Sequence, residues 1–188
     1  DHVKGKAYDL YPPSIRKGIL LHRQIDSFTD SHSHFRAAKK MLREDYGLYS
    51  GIVTDLFYDH FLARNWKIYS LTPIREFTQS VHAVLISYFF FLPAKVQGFL
   101  PFLIKNRRLE SYATIKGIKD SLDIMSRHTS LPANTEKAIR ILQENYISLE
   151  NDFHGFMQDI INFVETIHGI ILSRGDTPDK VMLQACIR

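Results

Sequence analysis

The chain has 188 residues, which is enough for one domain with a single hydrophobic core. Apolar residues make up 45% and charged residues 23% of the sequence, which excludes a chain dominated by disorder. The single cysteine, Cys186, excludes an intramolecular disulfide and a metal site built from several thiolates. The formal net charge of +4 suits an acidic partner and is too small to require nucleic acid, which we do not expect to bind.

The most apolar stretch, residues 81–92, contains His82 and Ser87 and is stopped by Pro93. A membrane-spanning helix needs about 20 apolar residues, so no transmembrane segment is predicted. No signal peptide is visible, and cysteine is nearly absent. We therefore expect a cytoplasmic protein.

Helical signals along almost the whole chain predict an all-α fold, a compact multi-helix bundle. The first helix opens at residues 12–14, because proline is preorganised for the first helical turn. Gly47 is a stop signal for the second helix, and Thr72 with Pro73 is a good N-cap and first-turn pair for the fourth. The later helices are predicted at residues 33–46, 51–66, 72–93, 109–127 and 135–167, with a broken helical piece around Pro101.

Apolar spacing predicts which residues of these helices face the core. In the second helix, Phe35, Ala38, Met41 and Leu42 are predicted to point inward. The last helix keeps its apolar spacing over an unusual length, which indicates one core helix that spans the domain. We expect residues 1–172 to form a single domain and residues 173–188 to be a tail.

Polar residues interrupt the apolar face of the first helix. His22, Asp26 and Asp30 are spaced by four residues, so they stack along one face of that helix. The same face continues from Ile15 and Ile19, which are core-type positions. Polar groups on a buried face are costly unless they are paired or bind a metal. An ordinary ion pair or a capping role is the simpler interpretation, especially for Asp30.

A second group follows the same rule in the third helix. Asp55 and Asp59 are again four residues apart, His60 adjoins them, and the chain opens with Asp1 and His2. Carboxylates and imidazoles without thiolates suit Mn²⁺, Mg²⁺ or Fe²⁺ better than structural zinc. Such an ion generates hydroxide from bound water and holds a phosphoryl oxygen. By contrast, His32, His34 and His82 are predicted to be surface or ordinary polar positions.

Two long motifs resemble the signature of the acyl carrier protein phosphodiesterases. They are residues 18–30, GILLHRQIDSFTD, and residues 55–66, DLFYDHFLARNW. Residues 1–5 with 11–13 resemble the first motif of that family, and residues 149–153 resemble its C-terminal helix. Family members usually carry an Asn-Phe-Leu-Ala-His-like stretch before the Asp that Asp1 matches.

The resemblance implies a divergent HD-type metal phosphohydrolase with an all-helical fold and a divalent ion, Mn²⁺ favoured. It also implies cleavage of the phosphodiester between a carrier-protein serine and 4′-phosphopantetheine, which gives the apo carrier protein. On this basis we expect the metal ligands to be Asp1, His22, Asp26 and Asp59. His60 or Asp55 would orient the ligands or move protons. Arg23 or Arg64 would steady the phosphate by bidentate contact.

An acidic carrier protein would be drawn to basic surface. One candidate cluster is Lys39, Lys40 and Arg43 on the outer face of the second helix, and another is Lys105, Arg107 and Arg108. Two alternatives stay open at this point. The first alternative is another HD-like phosphohydrolase that acts on a small phosphoester, and the second is a non-catalytic helical module that binds an acidic partner. The sequence does not define an oligomeric state.

Overall fold

The computed structural model describes residues 3–105 and 107–169 of the chain. These ranges contain helices and no strand, which confirms the predicted all-α fold. Three short 3-10 helices span Ala7–Leu10, Gly47–Tyr49 and Phe89–Phe91. The α-helices are α1 Pro13–Ser31, α2 Ser33–Tyr46, α3 Ser50–Arg64, α4 Trp66–Tyr69, α5 Ile74–Ser87, α6 Ala94–Lys105, α7 Arg108–Ser111, α8 Ile115–His128, α9 Thr135–Glu144 and α10 Tyr146–His168.

Local signals placed some helix ends well. Helix α2 has the predicted bounds, and Gly47 ends it with a φ of 51°, a left-handed conformation that glycine adopts at little cost. The predicted cap of α5 was wrong, because Pro73 rather than Thr72 occupies the N-cap position. That helix also ends at Ser87, before Pro93.

Two predicted long helices are each divided in two. The stretch 109–127 is interrupted after α7, and the Thr114 side chain accepts a hydrogen bond of 3.0 Å from Gly117 N to begin α8. The stretch 135–167 is interrupted at Asn145, whose φ of −112° and ψ of 19° are not helical. Its side-chain amide donates to the Ile141 carbonyl at 3.0 Å, so a polar side chain competes with the backbone ladder there.

Aromatic residues fill the core where α2, α3 and α10 meet. Phe35, Phe61 and Phe153 are fully buried, and Tyr58 meets Phe35 and Phe153 edge-on at ring-centroid distances of 5.5 Å. Edge-to-face pairs of this kind add to the stabilisation from buried apolar area. Met41, predicted to face inward, is 38% exposed, so the apolar stripe of α2 is narrower than expected.

Helices α1 and α10 run antiparallel. Phe28 stacks on Phe163 with ring centroids 4.5 Å apart, and His32 lies 3.2 Å from Asp159. A residue further along α1 therefore contacts a residue earlier in α10. The first half of α1 therefore lies towards the C-terminal end of α10. The other end of α10 meets α3, where the rings of Phe61 and Tyr146 are 5.1 Å apart.

Among the described residues, we find no helix that is both long and apolar enough to cross a bilayer. The domain limits 1–172 stay a prediction, and the predicted tail, residues 173–188, lies outside the described residues.

Candidate active site

His22 and Asp26 form a side-chain pair on α1. The ring atom Nδ1 of His22 lies 3.0 Å from Oδ2 of Asp26, and the two side chains are 31% and 26% exposed. The carboxylate engages Nδ1, which leaves Nε2 as the ring nitrogen for a further ligand. Metal-binding histidines are commonly oriented by a carboxylate in this way. The pair therefore fits His22 as a ligand through Nε2, whereas Asp26, bonded to Nδ1 on the other side of the ring, orients the imidazole, and its own role as a ligand stays a prediction. Exposed His–Asp pairs also occur without a metal.

Arg23 fastens the start of the described chain to α1. Its Nη1 donates to the Gly5 carbonyl at 2.8 Å, and its Nη2 donates to the Val3 carbonyl at 2.5 Å. The guanidinium also lies 5.1 Å from the ring centroid of Tyr8. Through these contacts Arg23 holds residues 3–8 against α1, one position along the chain from His22. Asp1 lies outside the described residues, and its role as a ligand stays a prediction.

His60, predicted to orient ligands or move protons, is completely buried. Its Nδ1 donates to the Tyr112 carbonyl at 2.8 Å, and its Nε2 lies 2.9 Å from the Tyr146 hydroxyl, which donates to it in the neutral tautomer. Burial lowers the pKa of His60, which keeps the imidazole neutral. Because both ring nitrogens bind protein groups, this placement favours a structural role in the contact of α3 with α10 and with the connection between α7 and α8.

The carboxylates of α3 form no metal-binding group with the His22–Asp26 pair among the described residues. Asp55 and Asp59 are half-buried, and Asp59 acts on Tyr112, whose pKa is raised by burial and then by that negative charge. Among residues 3–105 and 107–169, no three His, Cys, Asp or Glu side chains are grouped so that they could hold a metal ion. The structure therefore does not join Asp59 to the pair, and its role as a ligand stays a prediction.

Arg64 lies near the opposite end of α10 from the pair. Its guanidinium is 5.8 Å from the ring centroid of Tyr146, the first residue of α10. The helix from Tyr146 to Phe163 is about 25 Å long, and His22 lies beyond the Phe28–Phe163 contact. One phosphate cannot contact both places. Arg64 is exposed, and a role for it in binding the carrier stays a prediction.

Sequence reasoning missed a second polar cluster between α10 and the α1–α2 junction. His34 Nδ1 lies 2.7 Å from Asp152 Oδ1, and His32 Nε2 lies 3.2 Å from Asp159 Oδ2. The His32 Nδ1 atom is buried and has no hydrogen-bond partner in the described part of the chain. The pairs join residues more than a hundred positions apart, so no local spacing could reveal them. Like His32 and His34, His82 is not a simple surface position, since it is buried.

Comparison with known proteins identifies the family. A family described as "Acyl carrier protein phosphodiesterase" matches residues 1–160. The chain belongs to the acyl carrier protein phosphodiesterase family. Proteins of that name from Yersinia pestis, Yersinia enterocolitica and Serratia proteamaculans are 31%, 29% and 29% identical to it. Each alignment covers 83% of this chain and 81% of the relative. No solved structure matches the chain.

The basic residues of this phosphodiesterase family member differ in accessibility. Lys40 and Arg43 are exposed on α2, whereas Lys39 is half-buried and extends its ammonium group over Gly51. Arg108 was expected to belong to an exposed basic cluster, but it is buried and donates to Ser121 Oγ at 2.5 Å. The α2 cluster is therefore the better candidate for attracting an acidic partner.

Proposed function

We propose that this protein hydrolyses the phosphodiester bond between 4′-phosphopantetheine and a serine of an acyl carrier protein, which gives apo carrier protein and 4′-phosphopantetheine. The observation that carries the proposal is the family match over residues 1–160, a range that contains every predicted site residue. The His22–Asp26 pair supports it further, because it offers an oriented imidazole at a partly exposed position.

We also propose that the reaction uses a divalent ion, with Mn²⁺ favoured over Mg²⁺ and Fe²⁺. His22 would hold it through Nε2, with Asp26 as the carboxylate that orients the imidazole, and Asp1 and Asp59 are the further predicted ligands. When bound, such an ion would supply Lewis acidity, which would make a water molecule easier to deprotonate and would polarise a phosphoryl oxygen. Imidazole and carboxylate donors without thiolate match the ligand preferences of these ions.

The side chains of this protein would act mainly by positioning. Asp26 fixes the tautomer of His22 by accepting from Nδ1–H, which leaves the lone pair of Nε2 for a ligand. Arg23 holds the backbone of residues 3–5 beside α1, which positions the start of the chain. Because His60 is buried and fully bonded, we propose that water rather than His60 protonates the departing serine oxygen.

The outer face of α2 would receive the carrier protein. Lys40 and Arg43 are exposed there, and opposite charges steer diffusional encounter before docking. Exposed charges are screened over about 8 Å at physiological ionic strength. We therefore expect kcat/KM to fall with added salt, and to fall at low salt in a Lys40→Glu, Arg43→Glu variant.

The test is mass spectrometry of holo acyl carrier protein incubated with the protein and Mn²⁺. We expect loss of the phosphopantetheine mass, and we expect a chelator or His22→Ala to abolish that loss. His128→Ala is the matched control, because His128 is exposed at the end of α8, is not among the predicted site residues and should retain activity.

The other outcomes identify the alternatives. Turnover of small phosphoesters without turnover of holo carrier protein would indicate a different phosphohydrolase. Carrier binding without turnover under any metal condition would indicate a binding module. Activity that persists in His22→Ala would refute the site assignment while leaving the reaction in place.

A further inference from the structure

One segment of the chain combines apolar side chains with basic residues and contains no acidic residue. Between Glu76 and Glu110 the sequence contains no acidic residue. The same stretch contains four basic residues, Lys95, Lys105, Arg107 and Arg108. Arg108 is buried, whereas the other three are exposed. The surface of this stretch is therefore positive and lacks the mixed charges of an ordinary solvated face.

Much of this stretch is apolar and lies outside the core. We call residues 83–105 the aromatic segment. All of them are described, and none belongs to the main hydrophobic core cluster or packs against it, although Leu100 itself is buried. Phe90, at the centre of the 3-10 turn, is 92% exposed. The large apolar side chains exposed along the segment are Val84, Ile86, Tyr88, Phe90, Phe91 and Phe99.

The protein body holds the stretch firmly on both sides of the aromatic segment. Before it, Phe77 packs on Trp66 with ring centroids 4.8 Å apart. After it, the buried Arg108 binds Ser121 Oγ. Thr78 Oγ1 also donates to Glu110 Oε1 at 3.3 Å, which ties the two flanks together. The apolar side chains are therefore presented by an anchored structure, and large exposed apolar surfaces mark interaction sites.

We propose that the aromatic segment binds the surface of a membrane that contains anionic lipids, an interaction beyond the proposed carrier-protein hydrolysis. Interfacial helices place aromatic and aliphatic side chains among the lipids and their cations near the headgroups. The exposed cations Lys95, Lys105 and Arg107 complement anionic headgroups. A strongly acidic protein partner fits less well, because apolar side chains outnumber the exposed cations twofold here. The described helices do not span a bilayer, so the segment would lie on the membrane.

Vesicle co-sedimentation of the full chain tests the proposal. The probes are vesicles of phosphatidylcholine alone and vesicles of phosphatidylcholine with phosphatidylglycerol in equal amounts. We expect binding to the anionic vesicles that salt weakens, and much weaker binding to the neutral ones. Phe90→Ser should reduce the partition coefficient by roughly tenfold or more. Lys95→Gln with Lys105→Gln should reduce it about fivefold per charge.

Leu48→Ser is the matched control, because Leu48 is 96% exposed in the turn between α2 and α3 and lies outside the aromatic segment. It should bind vesicles as the unchanged protein does, and circular dichroism should show all variants folded. Absence of binding to anionic vesicles would overturn the proposal, as would equal losses in Leu48→Ser and Phe90→Ser. Self-association that Phe90→Ser abolishes, without vesicle binding, would identify the surface as a contact between copies. Vesicle binding and self-association are both measured without a phosphodiesterase assay, so these outcomes are independent of the proposed hydrolysis.

Discussion

His60 offers the sharpest test of the structure, because its sequence motif predicted a catalytic role, whereas its buried surroundings predict a structural one. Replacing His60 with Ala removes a fully buried ring and leaves the Tyr112 carbonyl without its donor. A cavity together with an unsatisfied buried carbonyl costs about 2 to 4 kcal/mol. For a chain of this size, that corresponds to a fall in Tm of roughly 5 to 15 °C.

Two milder variants separate the contributions. His60→Asn keeps an N–H near the position of Nδ1, so the bond to the Tyr112 carbonyl survives and the loss is smaller. Tyr146→Phe removes only the hydroxyl that contacts Nε2, at a cost of about 1 kcal/mol. Thermal unfolding followed by circular dichroism measures all three. The melting temperature should be lowest for His60→Ala, intermediate for His60→Asn and closest to that of the unchanged protein for Tyr146→Phe.

The pH dependence of stability gives a second reading on the same side chain. Burial lowers the pKa of His60 from its ordinary value of 6.5, the Tyr112 hydrogen bond opposes this, and Arg64 lowers it further while Glu150 raises it. Because the unfolded chain binds the proton more readily, the stabilisation is complete above pH 6.5 and is lost as the pH falls through the folded pKa. The stability difference between the unchanged protein and His60→Asn should therefore shrink on acidification.

A catalytic role would give the opposite pattern. If His60→Ala melted at an unchanged temperature but lost turnover of holo carrier protein, the structural interpretation of His60 would be refuted. If it melted lower and kept its turnover per folded molecule at reduced temperature, the structural interpretation would stand. The dependence of kcat on pH should then be the same in His60→Ala as in the unchanged protein.

Two further predictions concern backbone packing and the chain start. A Cβ on Gly117 would lie 1.9 Å from the Ser111 carbonyl oxygen, so Gly117→Ala should destabilise the protein by about 3 kcal/mol. Gly18 in α1 has open space around it, so Gly18→Ala should stabilise the protein by up to about 1 kcal/mol. Equal melting temperatures for the two variants would contradict that packing. Arg23→Met removes both bonds to residues 3 and 5, so limited proteolysis of residues 3–10 should quicken and turnover should fall roughly tenfold at a nearly unchanged Tm. Unchanged proteolysis would show that Arg23 does not fasten the segment.

Local sequence signals predicted the elements whose ends are defined locally. Helix α2 is bounded by Ser33 and by a glycine in a left-handed conformation, and both are visible in the sequence. The interruption at Asn145 was missed because apolar spacing continues on both sides of it, and the non-helical backbone there is accompanied by a side-chain bond to Ile141 that spacing does not report. Spacing reports which face is buried, and it does not report whether the helix remains unbroken.

Burial also separated residues that the sequence motifs place side by side. Asp59 and His60 are neighbours, but one is half-buried near Tyr112 and the other is completely enclosed. The sequence contains the spacing of each motif but not the packing of α10 and of the connection between α7 and α8 against α3, where Tyr112 and Tyr146 contact the imidazole. For the same reason, the pairs of His32 with Asp159 and His34 with Asp152 could not be predicted.

The direction of α10 decides how the two central motifs can relate to a single phosphate. The contact between Phe28 and Phe163 places the His22–Asp26 end of α1 towards the C-terminal end of α10, whereas Arg64 meets Tyr146 at its N-terminal end. A helix of that span is about 25 Å long, several times the reach of an arginine side chain. A phosphate at His22 therefore depends on groups near α1 and on the chain start that Arg23 holds there. Arg64 can serve the same reaction only by stabilising the bundle or by contacting the body of a protein substrate, which is large enough to span that distance.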